Sequence, residues 1–291
     1  NHILNLNKEN KIVILEDKYV LKNIYDMEDN ISKRIVKSIK EVPKNIKDMD
    51  KYIEFLEDIF DIKYNKLQKD AIKISLENNL SIITGGPGTG KTTIIKGIVE
   101  LYKKIEKITD ERLIKDMALL APTGRAARRI TESTKFRAVT IHKFLRWDKE
   151  NDTFQVNKDN KSDVKFIIID ESSMVDIFLF SSLLDGLNED VKIIMVGDYN
   201  QLPSVLPGQV LKDLIDSDAI PVIKLNELYR QKEDSYIINL AHEIKDGKLS
   251  DDFTNKRSDY NFIETSKSDI ENIVCELCKK ALEKKYSYNE L

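Results

Sequence analysis

The octapeptide Gly85-Gly-Pro-Gly-Thr-Gly-Lys-Thr92 constrains this chain more than any other stretch. It fits G-x-x-x-x-G-K-[ST] and lies between the apolar run Leu80-Ser-Ile-Ile-Thr84 and a helical segment. Glycines let the backbone curl until its N–H groups converge on one point, and the following helix adds the positive end of its dipole. A loop of this kind needs a strand to deliver it and a helix to carry it away. Four more apolar runs supply the rest of such a layer: Met117–Ala121, Phe166–Asp170, Val191–Val196 and Val222–Leu225, each separated from the next by helical or polar sequence. Continuous apolar runs, as opposed to alternating ones, predict parallel strands covered on both faces. The expected fold class is therefore α/β.

Residues 1–64 read as a separate accessory module without a chemical motif. They hold a short strand, Lys11 to Leu15, then a helix capped by Asp26 in which Ile31, Ile35 and Ile39 recur until Pro43 ends it. A second helix places Tyr52, Phe55, Leu56 and Ile59 on one face. Residues 65–232 form the predicted ATPase domain. Within them, at about 135–165, Trp147, Phe154 and Val156 around Glu150-Asn151-Asp152 suggest an inserted hairpin. Residues 233–291 read as a linker and the beginning of a second, truncated domain.

Composition narrows the class. With 41% hydrophobic and 33% charged residues, 10 Gly and 6 Pro in 291, the chain is globular and neither disordered nor collagenous. No apolar run approaches the roughly 18 residues that span a bilayer, so no membrane partner is expected. The start, Asn1-His2-Ile3-Leu4, reads as an internal cut point, which makes the chain a fragment. Cys275 and Cys278 are too few for a disulfide framework, and a cytoplasmic location is the default; the pair is expected one turn apart on a helix, not on a metal. The net charge of −3 argues against a uniformly basic surface, but Ala121–Arg146 carries seven basic residues, Arg125, Arg128, Arg129, Lys135, Arg137, Lys143 and Arg146, against the single acid Glu132.

The chemistry follows from residue type and position. In the glycine loop, Gly86, Gly88, Thr89, Gly90, Lys91, Thr92 and Thr93 are the expected nucleotide-binding residues, with Lys91 reaching the outer phosphates of ATP and the Thr92 hydroxyl on magnesium. Asp170-Glu171 closes an apolar strand, which puts both carboxylates at the carboxyl edge of the sheet. There Asp170 would hold magnesium and Glu171 would orient and deprotonate water.

Further motifs turn these readings into a family resemblance. Ala121-Pro-Thr-Gly-Arg-Ala-Ala127, Thr140-Ile-His-Lys-Phe-Leu145, Gly197-Asp-Tyr-Asn-Gln-Leu-Pro-Ser-Val205 and Leu225-Asn-Glu-Leu-Tyr-Arg-Gln231 stand in the order found in superfamily-one helicases. The chain resembles the RecD/TraA group from about Leu67 to Gln231. The resemblance implies a P-loop NTPase of RecA-like fold, parallel sheet with helices on both faces, acting as an ATP-dependent DNA helicase. It assigns Gln68 to the adenine edge, Gln201 to γ-phosphate sensing and Arg230 to charge developing on the γ-phosphate. It assigns Pro122, Thr123, Gly124, Arg125, Thr140, His142 and Lys143 to the strand backbone.

It also implies single-stranded DNA, DNA ends or forks and nuclease-complex subunits as partners, a 5′-to-3′ polarity, and a hairpin that splits the duplex. The second arginine and other second-domain motifs of this family do not occur in residues 232–291, so the chain is expected to be half a motor and poorly active by itself. A clamp-loader or switch-type ATPase, or a helicase-like scaffold of a nuclease or relaxase complex, are the alternative readings.

Overall fold

The computed structural model describes residues 2–16, 18–225, 235–245 and 247–284. The chain divides into two compact units, Asn1–Arg230 and Gln231–Leu291. The first opens with helix α1 (His2–Lys8) and an antiparallel hairpin of β1 (Ile12–Leu15) and β2 (Lys18–Leu21), followed by helices α2 (Lys22–Ile39), α3 (Met49–Phe60) and α4 (Lys66–Glu77). The strand expected at Lys11–Leu15 is β1. Its partner β2 is short and mostly exposed, so it leaves no apolar pattern to read.

Two local expectations are corrected here. Asp26 does not cap α2; the helix starts a turn earlier, and Asp26 pairs with the Lys22 ammonium at i,i+4. The buried row of α3 is Met49, Ile53 and Leu56, whereas Phe55 and Ile59 are exposed. Phe55 instead lies under the Lys104 ammonium, 2.9 Å from its ring centroid. Phe55 is thus a cation-covered surface residue, while Tyr52 packs at the margin of the core.

The sheet begins with β3 (Leu80–Gly85), from which α5 (Lys91–Ile105), α6 (Asp110–Asp116) and β4 (Met117–Ala121) follow. Next come α7 (Gly124–Thr134), β5 (Ala138–Thr140), α8 (Ile141–Phe144), and a small hairpin of β6 (Trp147–Asp148) and β7 (Thr153–Phe154). Then β8 (Phe166–Ile169), α9 (Ile177–Asp185), β9 (Lys192–Gly197), α10 (Val210–Asp216) and β10 (Val222–Leu225) complete the unit. Six parallel strands lie in the order β10-β3-β9-β8-β4-β5, with Ile82 opposite Met195 and Ile168 opposite Ile194. The five expected runs are all present. The sixth strand, β5, falls inside the stretch expected to be the insertion, of which only 147–154 forms the antiparallel pair.

Alternation along each strand explains why the runs are apolar throughout. Ile167, Ile169, Ile193 and Met195 face one cluster with α9, α10 and α2, while Phe166, Ile168, Ile194 and Val196 face the other with α3, α4 and α5. Residues 1–64 therefore supply core side chains to both faces: Ile31 and Ile35 on one, Ile53 and Leu56 on the other. Truncating a fully buried Ile168 to Ala would cost about 2–5 kcal/mol.

One buried charge seals an end of this layer. The Lys192 ammonium donates to the carbonyls of Ser75 (3.3 Å), Leu76 (3.0 Å) and Asn78, closing the C-terminus of α4, and burial lowers its pKa to about 8.

In the second unit, α11 (Tyr236–Lys245) and α12 (Ile270–Glu283) are the described helices, with the rings of Tyr236 and Tyr260 5.2 Å apart and tilted by 57°, and α12 burying no residue. Cys275 and Cys278 are free thiols on α12, one turn apart as expected. Among the described residues no helix is long and apolar enough to cross a membrane.

Candidate functional site

The motifs within the described residues sit at one edge of the sheet because parallel strands share one carboxyl end. Strand β3 ends in the glycine loop, β4 in Pro122–Arg125, β5 in Thr140, β8 in Asp170-Glu171 and β9 in Asp198–Gln201. Strand β10 leads into residues 226–231, so the expected site residue Arg230 lies outside the described residues.

The glycine loop is held by its own polar groups. Gly88 and Gly90 have φ of +80° and +88°, backbone that a Cβ would strain, and Gly90 stands at the N-cap of α5. The Thr89 hydroxyl donates to Gly86 O at 2.9 Å. The Lys91 ammonium folds back on the carbonyls of Gly85 (2.6 Å) and Gly86 (2.9 Å), acceptors that phosphate oxygens can replace. Burial lowers the Lys91 pKa, opposed by the charges of Asp198, Asp170 and Glu171. Thr93 has its carbonyl bonded by the Tyr64 hydroxyl at 3.3 Å.

Pro87, Gly88, Gly90, Lys91 and Thr92 line a cleft of about 90 Å³, closed on the other side by Ala126, Arg129, Ile130 and Ser133 of α7 and by Asp170, Glu171 and Gln201. Of the expected nucleotide-binding residues, Gly86, Thr89 and Thr93 are not part of this lining. Burial raises the Asp170 carboxyl to about 6, and the neighbouring Glu171 charge pushes the same way. Glu171 has left-handed backbone, φ 53° and ψ 40°, a strained conformation for a residue with a side chain. The fully buried Ser172 hydroxyl next to it contacts Ile169 O (2.8 Å) and Val196 O (2.9 Å), pinning the turn to β8 and β9. Asp170 and Thr92 offer hard oxygen donors on the same cleft, a set that suits magnesium.

Gln68 stands at the loop but is committed to the protein. Its carboxamide donates to Thr89 O at 3.1 Å and accepts from Asn65 N at 3.2 Å, completing a capping box at the start of α4, and only 4% of the residue is exposed. The residues assigned to the strand lie beside the cleft. The Thr123 and Thr140 hydroxyls accept from Ala126 N (3.2 Å) and Lys143 N (3.1 Å), so both are N-caps. Pro122 is half-buried, and Gly124, Arg125, His142 and Lys143 are exposed. His142 packs by its ring against Trp147 and Phe154, 6.2 Å and 5.8 Å between centroids, which joins α8 to the small hairpin.

One residue of the cleft lining, Arg129, and one that acts on it from behind, Asp198, carry no individual role from sequence. Asp198, buried, acts on Lys91 electrostatically, and it follows β9 in the same run that contains Gln201. Arg129 approaches Glu171, with Nη1 at 4.0 Å from Oε1. In sequence it is one of seven basic residues in a row of similar ones.

This fold and cleft define a P-loop NTPase with a RecA-like sheet. Residues 68–207 match the AAA domain family. The chain is 34% identical over 220 residues to the RecBCD enzyme subunit RecD of Buchnera aphidicola subsp. Schizaphis graminum, covering 69% of this chain and 35% of that one. It is 37% identical over 171 residues to the ATP-dependent RecD2 DNA helicase of Deinococcus radiodurans, covering 59% of this chain and 22% of that one. Its fold matches the Pif1 helicase of Candida albicans with a TM-score of 0.53 and 22% identity, over 74% of this chain and 54% of that one. Over the matched residues the chain is similar to RecD-type helicases, and it spans about a third or less of the length of the two curated relatives named.

Proposed function

We propose that this chain is the ATP-hydrolysing core of a DNA helicase that moves 5′ to 3′ along single-stranded DNA. The observation that carries this reading is the cleft itself, where Lys91, Thr92, Asp170, Glu171 and Gln201 converge and α7 forms the facing wall. The first turn of that same helix carries Gly124 and Arg125. In the proposed division, residues 65–232 are the ATPase unit and residues 1–64 an accessory module packed on it.

In this reading Lys91 exchanges its two carbonyl acceptors for the outer phosphates, and the loop N–H groups take the rest of the phosphate chain. Thr92 and Asp170 would hold magnesium, which would supply neutralisation of phosphate charge. Glu171, in the cleft lining, accepts a proton from the attacking water. Gln201, on the loop after β9, senses the γ-phosphate, and Arg230 faces the developing charge. Gln68, with one N–H and one lone pair of its carboxamide left over after its bonds to Thr89 and Asn65, meets the adenine edge. Exposed Arg125, Lys143 and His142 take strand phosphates. Similarity to a RecBCD subunit supports DNA ends or forks as substrates and subunits of a nuclease complex as partners.

The test is strand displacement by the full-length protein on forks carrying a single 5′ or 3′ tail, with magnesium-ATP. Unwinding from the 5′-tailed fork, absent in Glu171→Gln, is expected. Unwinding only from the 3′ tail would reverse the polarity, and none from either would remove the helicase reading.

A further inference from the structure

Seven basic residues lie between Ala121 and Arg146, and among the described residues Arg129 is the one that approaches an acid: Glu171, across the cleft. The pair is long, 4.0 Å, and the Arg129 side chain is 75% exposed against 24% for Glu171. Contacts this open add little to stability, so packing does not account for its placement. Arg129 also lines the same cleft as Lys91, Thr92 and Asp170.

The helix that carries it is well suited to transmit movement. Arg125 and Arg129 stand at i and i+4, on one face of α7. Ala127, Ile130 and Thr134 bury the opposite face, and the Thr131 hydroxyl ties the helix to Ala138 N at 2.9 Å, at the start of β5. A helix anchored in this way moves as a body. Whatever displaces Arg125 in the first turn therefore displaces Arg129 one turn further along.

We propose that Arg129 is a positioning residue for ATP hydrolysis, steering the Glu171 carboxylate, and that α7 relays strand contact at Arg125 to it. This rests on the reading of Glu171 as the water-activating base. In the absence of strand the tether is loose and the carboxylate is poorly aimed. Strand phosphates on Arg125 draw the first turn of α7 toward them, and the shift brings the guanidinium and the carboxylate into register with the attacking water.

The test uses the full-length protein and compares wild type, Arg129→Gln, Arg129→Lys, Glu171→Gln and the Arg129→Gln/Glu171→Gln double variant. Arg129→Gln is expected to lower kcat with single-stranded DNA roughly tenfold while ATP KM stays within about threefold, since only the aimed base is affected. Stimulation by DNA should shrink with it, and Arg129→Lys should recover most of both. Added to Glu171→Gln, the Arg129→Gln change should alter kcat by less than about twofold, because residues acting through one another are not additive.

Full activity of Arg129→Gln beside a slow Glu171→Gln would overturn the proposal alone. A loss mainly in KM, or additive losses in the double variant, would overturn it as well, since Arg129 would then act on nucleotide directly. A fast Glu171→Gln enzyme would instead remove the assignment of the base, and the proposal with it.

Discussion

Between Gly85 and Thr92 the polar groups largely have partners inside the protein, with Lys91 on two carbonyls, Thr89 on Gly86 and Gln68 on Thr89. Between Arg125 and Arg146 the cationic side chains reach into solvent, with one long ion pair among the seven. The loop and, in the basic stretch, Arg125 and Lys143 stand at the same carboxyl edge of the sheet, and both are read as binding phosphate. The difference teaches how each binds. The loop offers a fixed set of backbone donors, so its affinity comes from preorganisation. The basic stretch offers loose cations, so its affinity comes from released counterions and is tuned by salt.

The largest effect that would break this comparison is at Glu171, the proposed water-activating carboxylate. Glu171→Gln in the full-length protein should slow hydrolysis by about 10²-fold or more while magnesium-ATP still binds, as expected for loss of a general base. Steady-state turnover beside nucleotide titration checks it, and equal loss of binding would make Glu171 part of the preorganised loop.

Lys91→Ala should weaken magnesium-ATP binding by roughly 10-fold to 100-fold, the order expected of one charge-assisted contact to phosphate. Circular dichroism should not change, because the ammonium touches loop carbonyls and not the core. Retained affinity would mean that the backbone alone carries the phosphates.

On the other side, replacing Arg125 and Lys143 with Ala should lower single-strand affinity several-fold and reduce its salt slope by about 0.7 for each strand phosphate no longer neutralised. Fluorescence anisotropy at a series of salt concentrations measures this. An unaltered slope would show that these cations are only a solvated face.

The smallest effect concerns the scaffold behind the loop. Burial alone would raise the Glu57 pKa, but hydrogen bonds from Lys69, Lys63 and Tyr64 N outweigh it and hold the carboxyl at about 2 instead of 4.5. A depressed carboxylate stabilises the fold above its unfolded pKa, and that contribution is lost as pH falls from about 4.5 toward 2. Thermal unfolding should show this decline, and Glu57→Gln should be less stable at neutral pH with a flatter profile across the window.

How much of this is legible in sequence depends on how local each feature is. Phe166–Ile169 and Lys192–Gly197 can be read as strands because both their faces are buried, which forces a continuous apolar run. Strand β5 cannot, since three half-buried residues at a sheet edge carry no periodicity. The packing face of α3 is misleading in sequence because an ammonium covers Phe55, an arrangement that depends on where α5 lies. In the site, Lys91, Thr92, Asp170 and Glu171 are legible because their motifs are contiguous. The position of Gln68 follows from the family resemblance, but its bonds to Thr89 and Asn65 do not, and the pairing of Arg129 with Glu171 exists only once α7 and β8 are brought together.

The central claim is that phosphate chemistry and strand contact share one sheet edge and are coupled through it. ATP hydrolysis by the full-length protein, measured at saturating ATP with and without single-stranded DNA, tests this most directly. The account predicts slow turnover without DNA, roughly tenfold or more stimulation with it, and loss of that stimulation when Arg125 and Lys143 are replaced. Turnover that is fast and indifferent to DNA would contradict it and favour a switch-type ATPase.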